Sequence, residues 1–397
     1  MRYTRTMFKK WKNNRGVALL ITLSIIVIMV TVGLQLNKKT RATVDAAAAQ
    51  KDRFTLTQMA TGAVNVAMAM LIKDAIETKV DSVQEDWADP EKIEEMLAEI
   101  PFDNGKVSIA ISDELSRIQV NALVDFPEGM KFNATQQTLW QRFLENLFKL
   151  YKETEDINEM EDINETEDTN PEAIINSIKD WLDSKDDDAV TGLSGAESDY
   201  YMGLDPPYKC KNGPFTHIGE VALVKGIPPE LFNGFEELLG LSSYLTVYGA
   251  VSNTSPPTGD SNTGDTGSSR NTVQTKEGNF TYEGRININT ADLPVLMALL
   301  PPEAADFAKN LHDFRILKAD DDTYVNDLSN QSWYENVPGF TNIEIDESLL
   351  TVKSDFFRIT ATASRHKTKL IVSAVIQREK NGKNGKWECK ILNWQAE

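Results

Sequence analysis

The chain has 397 residues and a formal net charge of −19, from 41 basic and 60 acidic side chains. Apolar residues make up 41% of the chain, which is enough for at least one buried core, and the length favours two or three domains. The negative charge argues against a general nucleic-acid or anionic-membrane binder, because phosphates repel an acidic surface. Having only two cysteines excludes a disulfide-dense scaffold.

The first 36 residues predict a membrane segment with a basic flank. Residues 1–16 carry six positive charges and no acid, and residues 17–36 carry no charge at all. As a helix, such a run spans about 30 Å, which is the thickness of the hydrocarbon core of a bilayer. The positive-inside rule places the basic flank in the cytoplasm and the rest of the chain outside.

Arg15-Gly16 stands directly before the apolar run. An ordinary cleaved signal peptide has a shorter run, followed by its small-residue site. The arrangement here resembles the signal of type IV pilins and type II secretion pseudopilins. In that family a prepilin peptidase cuts after the glycine and methylates the new first residue, so the resemblance implies a cut between Gly16 and Val17. A plain signal anchor is the alternative.

Most such pilins carry a glutamate at the fifth mature position, and here that position is Ile21. A carboxylate inside a bilayer is costly unless it is paired, and in pilins this one is held to pair with the terminal amine of a neighbouring subunit. A subunit without the acid cannot supply that partner. The departure is characteristic of the K-type minor pseudopilins of type II secretion.

Apolar residues continue at three- and four-residue steps as far as about Lys73. They predict a helix over 17–75, either continuous, at about 85 Å, or broken near Asn37–Arg41. Residues 106–123 alternate and are rich in Val and Ile, which predicts a β-hairpin.

From about Thr351 a second alternating region predicts a three-stranded antiparallel meander. Between the strands, residues 133–151, 171–183 and 228–241 show helical patterns. The simplest architecture is therefore α+β: a long pilin helix and a pilin-like antiparallel sheet, with a large, mostly helical domain inserted between strands.

Two stretches of the middle region have the composition of insertions. Residues 153–170 repeat a six-residue unit three times with nine acids, and residues 252–279 are rich in Ser, Thr and Gly. Neither composition can bury a core. We interpret the acidic repeat as a solvated insertion, with a calcium-binding segment as the alternative, and residues 252–279 as a flexible loop.

The predicted organisation has five parts. They are a basic prepilin leader (1–16), the N-terminal pilin helix (17–75), the first part of the pilin-like α+β domain (76–123), the inserted α-domain (124–350) and the C-terminal strands that complete the sheet (351–397).

Several segments, ordered along nearly the whole chain, resemble the K-type pseudopilin family, also called general secretion pathway protein K. They are RGVALL (15–20), SRIQVNAL (116–123), KDWLDSKDDD (179–188), GAESDYY (195–201), LDPPY (204–208), GEVALVKGIPPELF (219–232), SYLTVYG (243–249), INTADLPVLMALLP (288–301) and LTVKSDFFRITATA (350–363). No single segment is decisive, but their order is specific.

The resemblance implies a minor pseudopilin at the tip of a periplasmic pseudopilus, anchored in the bacterial inner membrane by one span. It implies a complex with I- and J-type minor pseudopilins that initiates or caps assembly. Other pseudopilins, the prepilin peptidase and exported proteins are the further partners it implies. Independently of the family, an inserted domain of this size would clash with any subunit stacked above it in a thin filament, so the subunit must terminate the filament.

An acid-rich loop follows the helical pattern of 171–183. Hard cations such as calcium take oxygen ligands from such loops, but the EF-hand spacing is absent here. Family resemblance implies that calcium binds through this loop, and we assign the ligands as Asp183, Asp186, Asp188, Glu197 and Asp199. From the residues alone, a solvated loop is the alternative.

No nucleophile–base set or metal-ligand spacing surrounds His217, His312 or His366, so the sequence predicts no enzymatic activity. Cys210 and Cys389 would meet an oxidising compartment, where they either form a disulfide or stay two separate thiols. The rival functions are a minor pilin of a type IV pilus or competence pseudopilus, and a membrane-anchored periplasmic enzyme.

Overall fold

The computed structural model of the chain describes residues 15–100, 102, 105–126, 129–153, 169–184, 190–235, 238–252, 280–365, 368–382 and 384–397. Most of the basic leader, nearly all of the acidic repeat, nearly all of the predicted flexible loop (252–279), and two predicted calcium ligands, Asp186 and Asp188, lie outside the described residues.

The described helices, in chain order, are α1 (Arg15–Glu77), α2 (Pro90–Ala98), α3 (Ala134–Glu153), α4 (Pro171–Leu182), α5 (Ser198–Met202), α6 (Pro229–Asn233), α7 (Leu241–Tyr244), α8 (Leu293–Leu299) and α9 (Ala308–Arg315). The described strands are β1 (Lys106–Asp113), β2 (Ile118–Gln119), β3 (Gly234–Phe235), β4 (Leu238–Leu239), β5 (Leu245–Thr246), β6 (Ala250–Ser252), β7 (Phe280–Tyr282), β8 (Ile286–Asn287), β9 (Leu350–Thr351), β10 (Phe356–Arg365), β11 (Thr368–Lys380) and β12 (Trp387–Ala396). Short 3₁₀ turns connect many of them.

Helix α1 is continuous over 63 residues, which is the unbroken form of the predicted N-terminal helix. No proline interrupts it, and a glycine such as Gly33 costs a helix only about 1 kcal/mol. Residues 16–51 are exposed on all sides. From Leu56 onward one face is buried against the sheet, and Ala60, Ala63 and Ala67 on that face are fully buried.

A four-stranded antiparallel sheet packs against this second part of α1, in the order β1-β10-β11-β12. Strands β10, β11 and β12 form the predicted three-stranded meander, which is confirmed. Buried side chains of the helix and the sheet form one apolar cluster together with Trp87 and residues of α2. We call residues 56–113 and 356–397 the body.

The segment between the two parts of the body, residues 114–355, is inserted between two adjacent strands of the sheet. Asp113 at the end of β1 lies opposite Phe357 near the start of β10, so the insertion leaves and re-enters the sheet at neighbouring points. We call residues 114–355 the head. The α+β class, with a mostly helical insertion, is confirmed.

The predicted β-hairpin over 106–123 is wrong. Strand β1 pairs with β10, whereas β2 runs parallel to β5, far along the chain. The alternation in this segment is real, but Ile118, Val120 and Leu123 are buried in the core of the head. The predicted start of the insertion at residue 124 therefore falls inside the head, which begins directly after Asp113.

The head is built around α3 and α8, with α4 alongside, and its core contains Trp140, Phe143 and Trp333. Helices α3 and α4 confirm the helical patterns of 133–151 and 171–183. The third pattern, over 228–241, does not form one helix. Gly234 has a φ of 89° and ends α6, and a side chain at that position would collide with the backbone of Leu238.

Candidate functional site

The first part of α1 is an apolar helical segment that the other described residues leave uncovered, and we call it the rod. Its most apolar 18-residue window has a mean hydropathy of 2.8 and no residue buried inside the protein, so α1 is long and apolar enough to span a membrane. Ile21, at the position where most pilins have glutamate, is 54% exposed. Gly16 and Val17 lie in the first turn of the described helix, with open space around Gly16.

The hydroxyl groups on this rod have partners within the helix. Thr22, Ser24 and Thr31 donate hydrogen bonds to carbonyl oxygens three or four residues earlier, at 2.9, 2.8 and 2.7 Å. An unsatisfied donor costs free energy in hydrocarbon, and these bonds remove that cost. The rod is therefore compatible with lipid or with the apolar helices of neighbouring subunits.

Arg378, on β11, is the centre of a buried charged junction at the end of α1. Its Nη1 donates to Asp74 Oδ2 at 2.8 Å and to the Leu71 carbonyl oxygen at 3.1 Å. Its Nη2 donates to Asp81 Oδ1 at 2.6 Å and to the Ser354 carbonyl oxygen at 2.8 Å. One guanidinium thus holds together the last turn of α1, the segment after it, and the sheet.

The same junction connects the body to the head. Asn287 Nδ2 donates to the Asp81 carbonyl oxygen at 3.0 Å and to Asp113 Oδ2 at 2.8 Å. Thr290 Oγ1 also donates to Asp113 Oδ2, at 2.7 Å. Asp81, Asp113 and Asn287 are all buried. Directional bonds between buried groups fix the orientation of the head more narrowly than apolar contact alone would.

A second buried carboxylate lies at the first residue of the head. Glu114 accepts hydrogen bonds from Arg358 Nε at 2.6 Å and Arg117 Nη1 at 3.0 Å, and its other oxygen accepts from Thr246. Arg358 belongs to β10 of the body, whereas Arg117 and Thr246 belong to the head. This ion pair therefore also crosses the boundary between body and head.

Asp74, Asp81 and Glu85 have carboxylate oxygens within 4.8 Å of one another, the spacing of a cation site. Arg378 already places a positive charge between Asp74 and Asp81. Burial raises the pKa of the Asp81 carboxyl, and the charge of Arg378 opposes that rise. Burial also raises the pKa of Glu85 to about 7. We therefore interpret the group as a structural ion-pair cluster.

The acidic loop of the head is only partly described. Asp183 lies 3.5 Å from Lys179 Nζ, Glu197 is buried at the start of α5, and Asp199 is exposed. Within the described part of the chain, no three of the acids in this loop have ligand oxygens within 4.8 Å of one another. The calcium assignment over these residues stays a prediction.

Asp180 is a buried acid of this region that is not in the predicted ligand set. It is 1% exposed, and both of its carboxylate oxygens accept from the Thr191 backbone N–H at 3.1 Å. Burial raises the pKa of Cys210 to about 12, and the nearby charges of Glu197 and Asp180 add to the rise. The buried carboxylates of this region are therefore Asp180 and Glu197, and carboxylate oxygens are ligands that hard cations take.

Cys210 and Cys389 do not form a disulfide, which corrects one of the two predicted alternatives: both are free thiols. Cys210 lies in the core of the head and donates to the Asp180 carbonyl oxygen at 3.5 Å. Cys389, on β12, packs against the core of the body and donates to the Met68 carbonyl oxygen at 3.8 Å. The two thiols are separate because they belong to different cores.

Together, the elements define an α+β, pilin-like protein with an apolar helical rod and an inserted head. Residues 116–241 match a family model described as type II secretion system, protein K. A type II secretion system protein K of Pectobacterium carotovorum subsp. carotovorum is 26% identical over 222 residues, covering 55% of this chain and 60% of the relative. One of Klebsiella pneumoniae is 23% identical over 223 residues, with the same shares covered.

The fold is also found in a solved structure. A chain of the crystal structure of the GspK-GspI-GspJ complex from the enterotoxigenic Escherichia coli type 2 secretion system matches with a TM-score of 0.56 and 15% identity, covering 88% of this chain and 99% of that chain. The sequence matches span 60% of the length of the curated relatives. The resemblance to the protein K family is confirmed.

Proposed function

We propose that the chain is a minor pseudopilin of the type II secretion system. It acts at the tip of the pseudopilus, where it joins I- and J-type minor pseudopilins, initiates or caps assembly and supports protein export. The observation that carries this proposal is the insertion of residues 114–355 between the paired strands β1 and β10. A head this large would clash with a subunit stacked beyond it along the filament axis. The free apolar rod can still contact subunits on the membrane side.

Co-expression with the I- and J-type subunits of the same system tests the partners. We expect the full chain to elute with both subunits in one complex by size-exclusion chromatography with light scattering. A matched test of position is electron microscopy of gold-labelled copies in assembled fibres. We expect label at one end, and copies spaced along the shaft would overturn the proposal.

We further propose that a prepilin peptidase cuts the chain between Gly16 and Val17 and methylates Val17. Mass spectrometry of protein purified from membranes should find methylated Val17 as the first residue. Gly16→Ala should abolish the cut, and Gly33→Ala is the matched control, because both glycines lie in α1 with open space around them. Intact Met1 in the unmodified protein would favour a plain signal anchor instead.

We also propose that calcium binds at the acidic loop of the head. When bound, it would neutralise carboxylates that otherwise repel one another. Asp180 and Glu197 are the buried donors, and Asp183, Asp186, Asp188 and Asp199 are the further acids of the proposed set. EDTA should lower the melting temperature of the full chain, and added calcium should restore it. Asp183→Asn should weaken this response, whereas Glu303→Gln on the exposed surface of the head should not; an unchanged melting temperature with EDTA would overturn the proposal.

A further inference from the structure

Three cations stand directly after the apolar part of α1. They are Lys38, Lys39 and Arg41, and the first acid of the chain is Asp45. All of them are exposed on the continuous helix. The chain as a whole carries a net charge of −19, so this cluster is a local exception to its acidic character.

The helix geometry places the cluster at a definite depth. At 1.5 Å per residue, the three cations lie about 3, 4.5 and 7.5 Å beyond Leu36, the last residue of the uncharged run. The polar layer of one leaflet is roughly 5–8 Å thick, so Lys38 and Lys39 fall within it and Arg41 lies at its outer edge when residues 17–36 span the hydrocarbon core. Asp45 lies about 13.5 Å beyond Leu36, outside that layer.

The cluster has no ion-pair partner within the described residues of this chain, since none of the described ion pairs involves it. Its three side chains point over about 160° of the helix surface, at 100° per residue. They therefore present positive charge to several surrounding molecules and not to a single neighbouring helix.

The acidic head and body do not cancel this attraction. The first buried residue of α1 is Leu56, about 30 Å beyond Leu36 along the helix. The Debye length at physiological salt is about 8 Å, so repulsion between the acidic domains and an anionic surface is screened over that distance. Lys51 and Arg53 lie about 22 and 25 Å beyond Leu36, so their interaction with the membrane surface is also screened.

From this placement we propose that Lys38, Lys39 and Arg41 bind the headgroups of anionic phospholipids in the outer leaflet of the inner membrane. The site holds the outer end of the span at headgroup depth. The proposal rests on α1 spanning the membrane with residues 17–36 in the hydrocarbon core, and not on the partners named in the proposed function. It gives the protein a lipid preference of its own once the basic leader on the other side is removed.

The test uses the full chain in nanodiscs of equimolar phosphatidylcholine and phosphatidylglycerol. Spin-labelled lipids of each type report, by electron paramagnetic resonance, which lipid is immobilised at the protein surface. We expect K38Q/K39Q/R41Q to lower the preference for phosphatidylglycerol about fivefold or more relative to the unmodified chain. High salt should remove the same part of the preference.

The matched control is K51Q/R53Q/K73Q, which removes three cations from the same helix beyond the headgroup layer. Its lipid preference should equal that of the unmodified chain, and the leader is identical in all three proteins, so its contribution cancels. An equal preference in the first variant and the unmodified chain, or an equal loss in the control, would overturn the proposal. Failure of the unmodified chain to stay in the disc would instead contradict the membrane span, whereas the complex with I- and J-type subunits tests the tip function separately.

Discussion

The body and the head bury their cores in different ways. In the body, small residues meet across the contact between helix and sheet: Ala63 and Ala67 of α1 pack with Ala361, Ala363 and Ala374 of the sheet. In the head, large rings dominate, such as Trp140 against Phe143 at 6.3 Å between ring centroids. Small residues let backbones approach closely, whereas large rings bury more apolar area per residue.

The boundary between the two cores is polar. Arg378, Asp81, Asp113 and Asn287 form buried hydrogen bonds there, and Glu114 joins Arg358 to the head. Burying charges costs free energy unless each one is paired, so turning the head relative to the body would break these pairs at a cost in free energy. The comparison indicates that apolar packing stabilises each unit, while paired charges set how the two units meet.

Removing Arg378, the central cation of the junction, should lower the free energy of unfolding the most. Arg378→Met leaves Asp74 and Asp81 buried without their partner, and we expect the free energy of unfolding to fall by about 3–5 kcal/mol. Urea unfolding followed by circular dichroism measures it. Arg285→Met is the control, because Arg285 pairs with Glu283 at the surface and should cost less than about 1 kcal/mol. Equal losses would show that the junction is no stronger than a surface pair.

A cavity in the head should have the next largest effect. Leu144 is fully buried in the head core, and Leu144→Ala should cost about 2–5 kcal/mol through lost burial and the space left behind. The control is Leu293→Ala, since Leu293 is 38% exposed. A loss of similar size in both variants, measured by urea unfolding, would contradict the assignment of Leu144 to the core.

A larger side chain in the body should cost less stability than these changes, and only on the face of α1 that is buried against the sheet. Ala67 is fully buried against the sheet, so Ala67→Leu should cost about 1–3 kcal/mol through overpacking. Ala69 lies two residues later on the exposed side, and Ala69→Leu should be close to neutral. Thermal unfolding of the two variants distinguishes the faces. Neutral behaviour of both would mean that α1 does not pack closely on the sheet.

The smallest expected effect is a pH dependence at the junction, because Glu85 is only partly buried and solvent screens part of its electrostatic interaction. Burial raises the pKa of Glu85 to about 7 from a usual value of 4.5, so the folded protein binds this proton more tightly than the unfolded chain. Stability should therefore rise as the pH falls from above 7 towards 4.5. Glu85→Gln should flatten the change in melting temperature over that range, while its side-chain oxygen can still accept from Trp87 Nε1. An unchanged slope would contradict the raised pKa.

The spacing of apolar residues predicted those helices and strands whose pattern repeats within the element itself. The spacing of apolar residues predicted α1, α3 and α4, and alternation predicted the meander of β10 to β12, because each pattern repeats within the element itself. The partner of β1 could not be predicted in this way, since alternation shows which face is buried and not which strand lies alongside. The start of the head was therefore predicted at residue 124 and not directly after Asp113.

The junction illustrates the same limit. Val372, Ala374 and Ile376 alternate on the buried face of β11, and the same period places Arg378 on that face, so its burial could have been inferred. Its partners Asp74 and Asp81 lie about 300 residues away in the chain, and no sequence pattern connects them. For the acidic loop, the family resemblance implied calcium binding, but composition could not show that Asp180 is buried while Asp199 is exposed.

The meeting of Asp113 and Phe357 across neighbouring strands has a structural consequence. A hairpin turn of a few residues would close the same gap. The sheet is therefore complete without the head, which is an insertion between two of its strands. The insertion can therefore change in size without changing the strand order of the sheet.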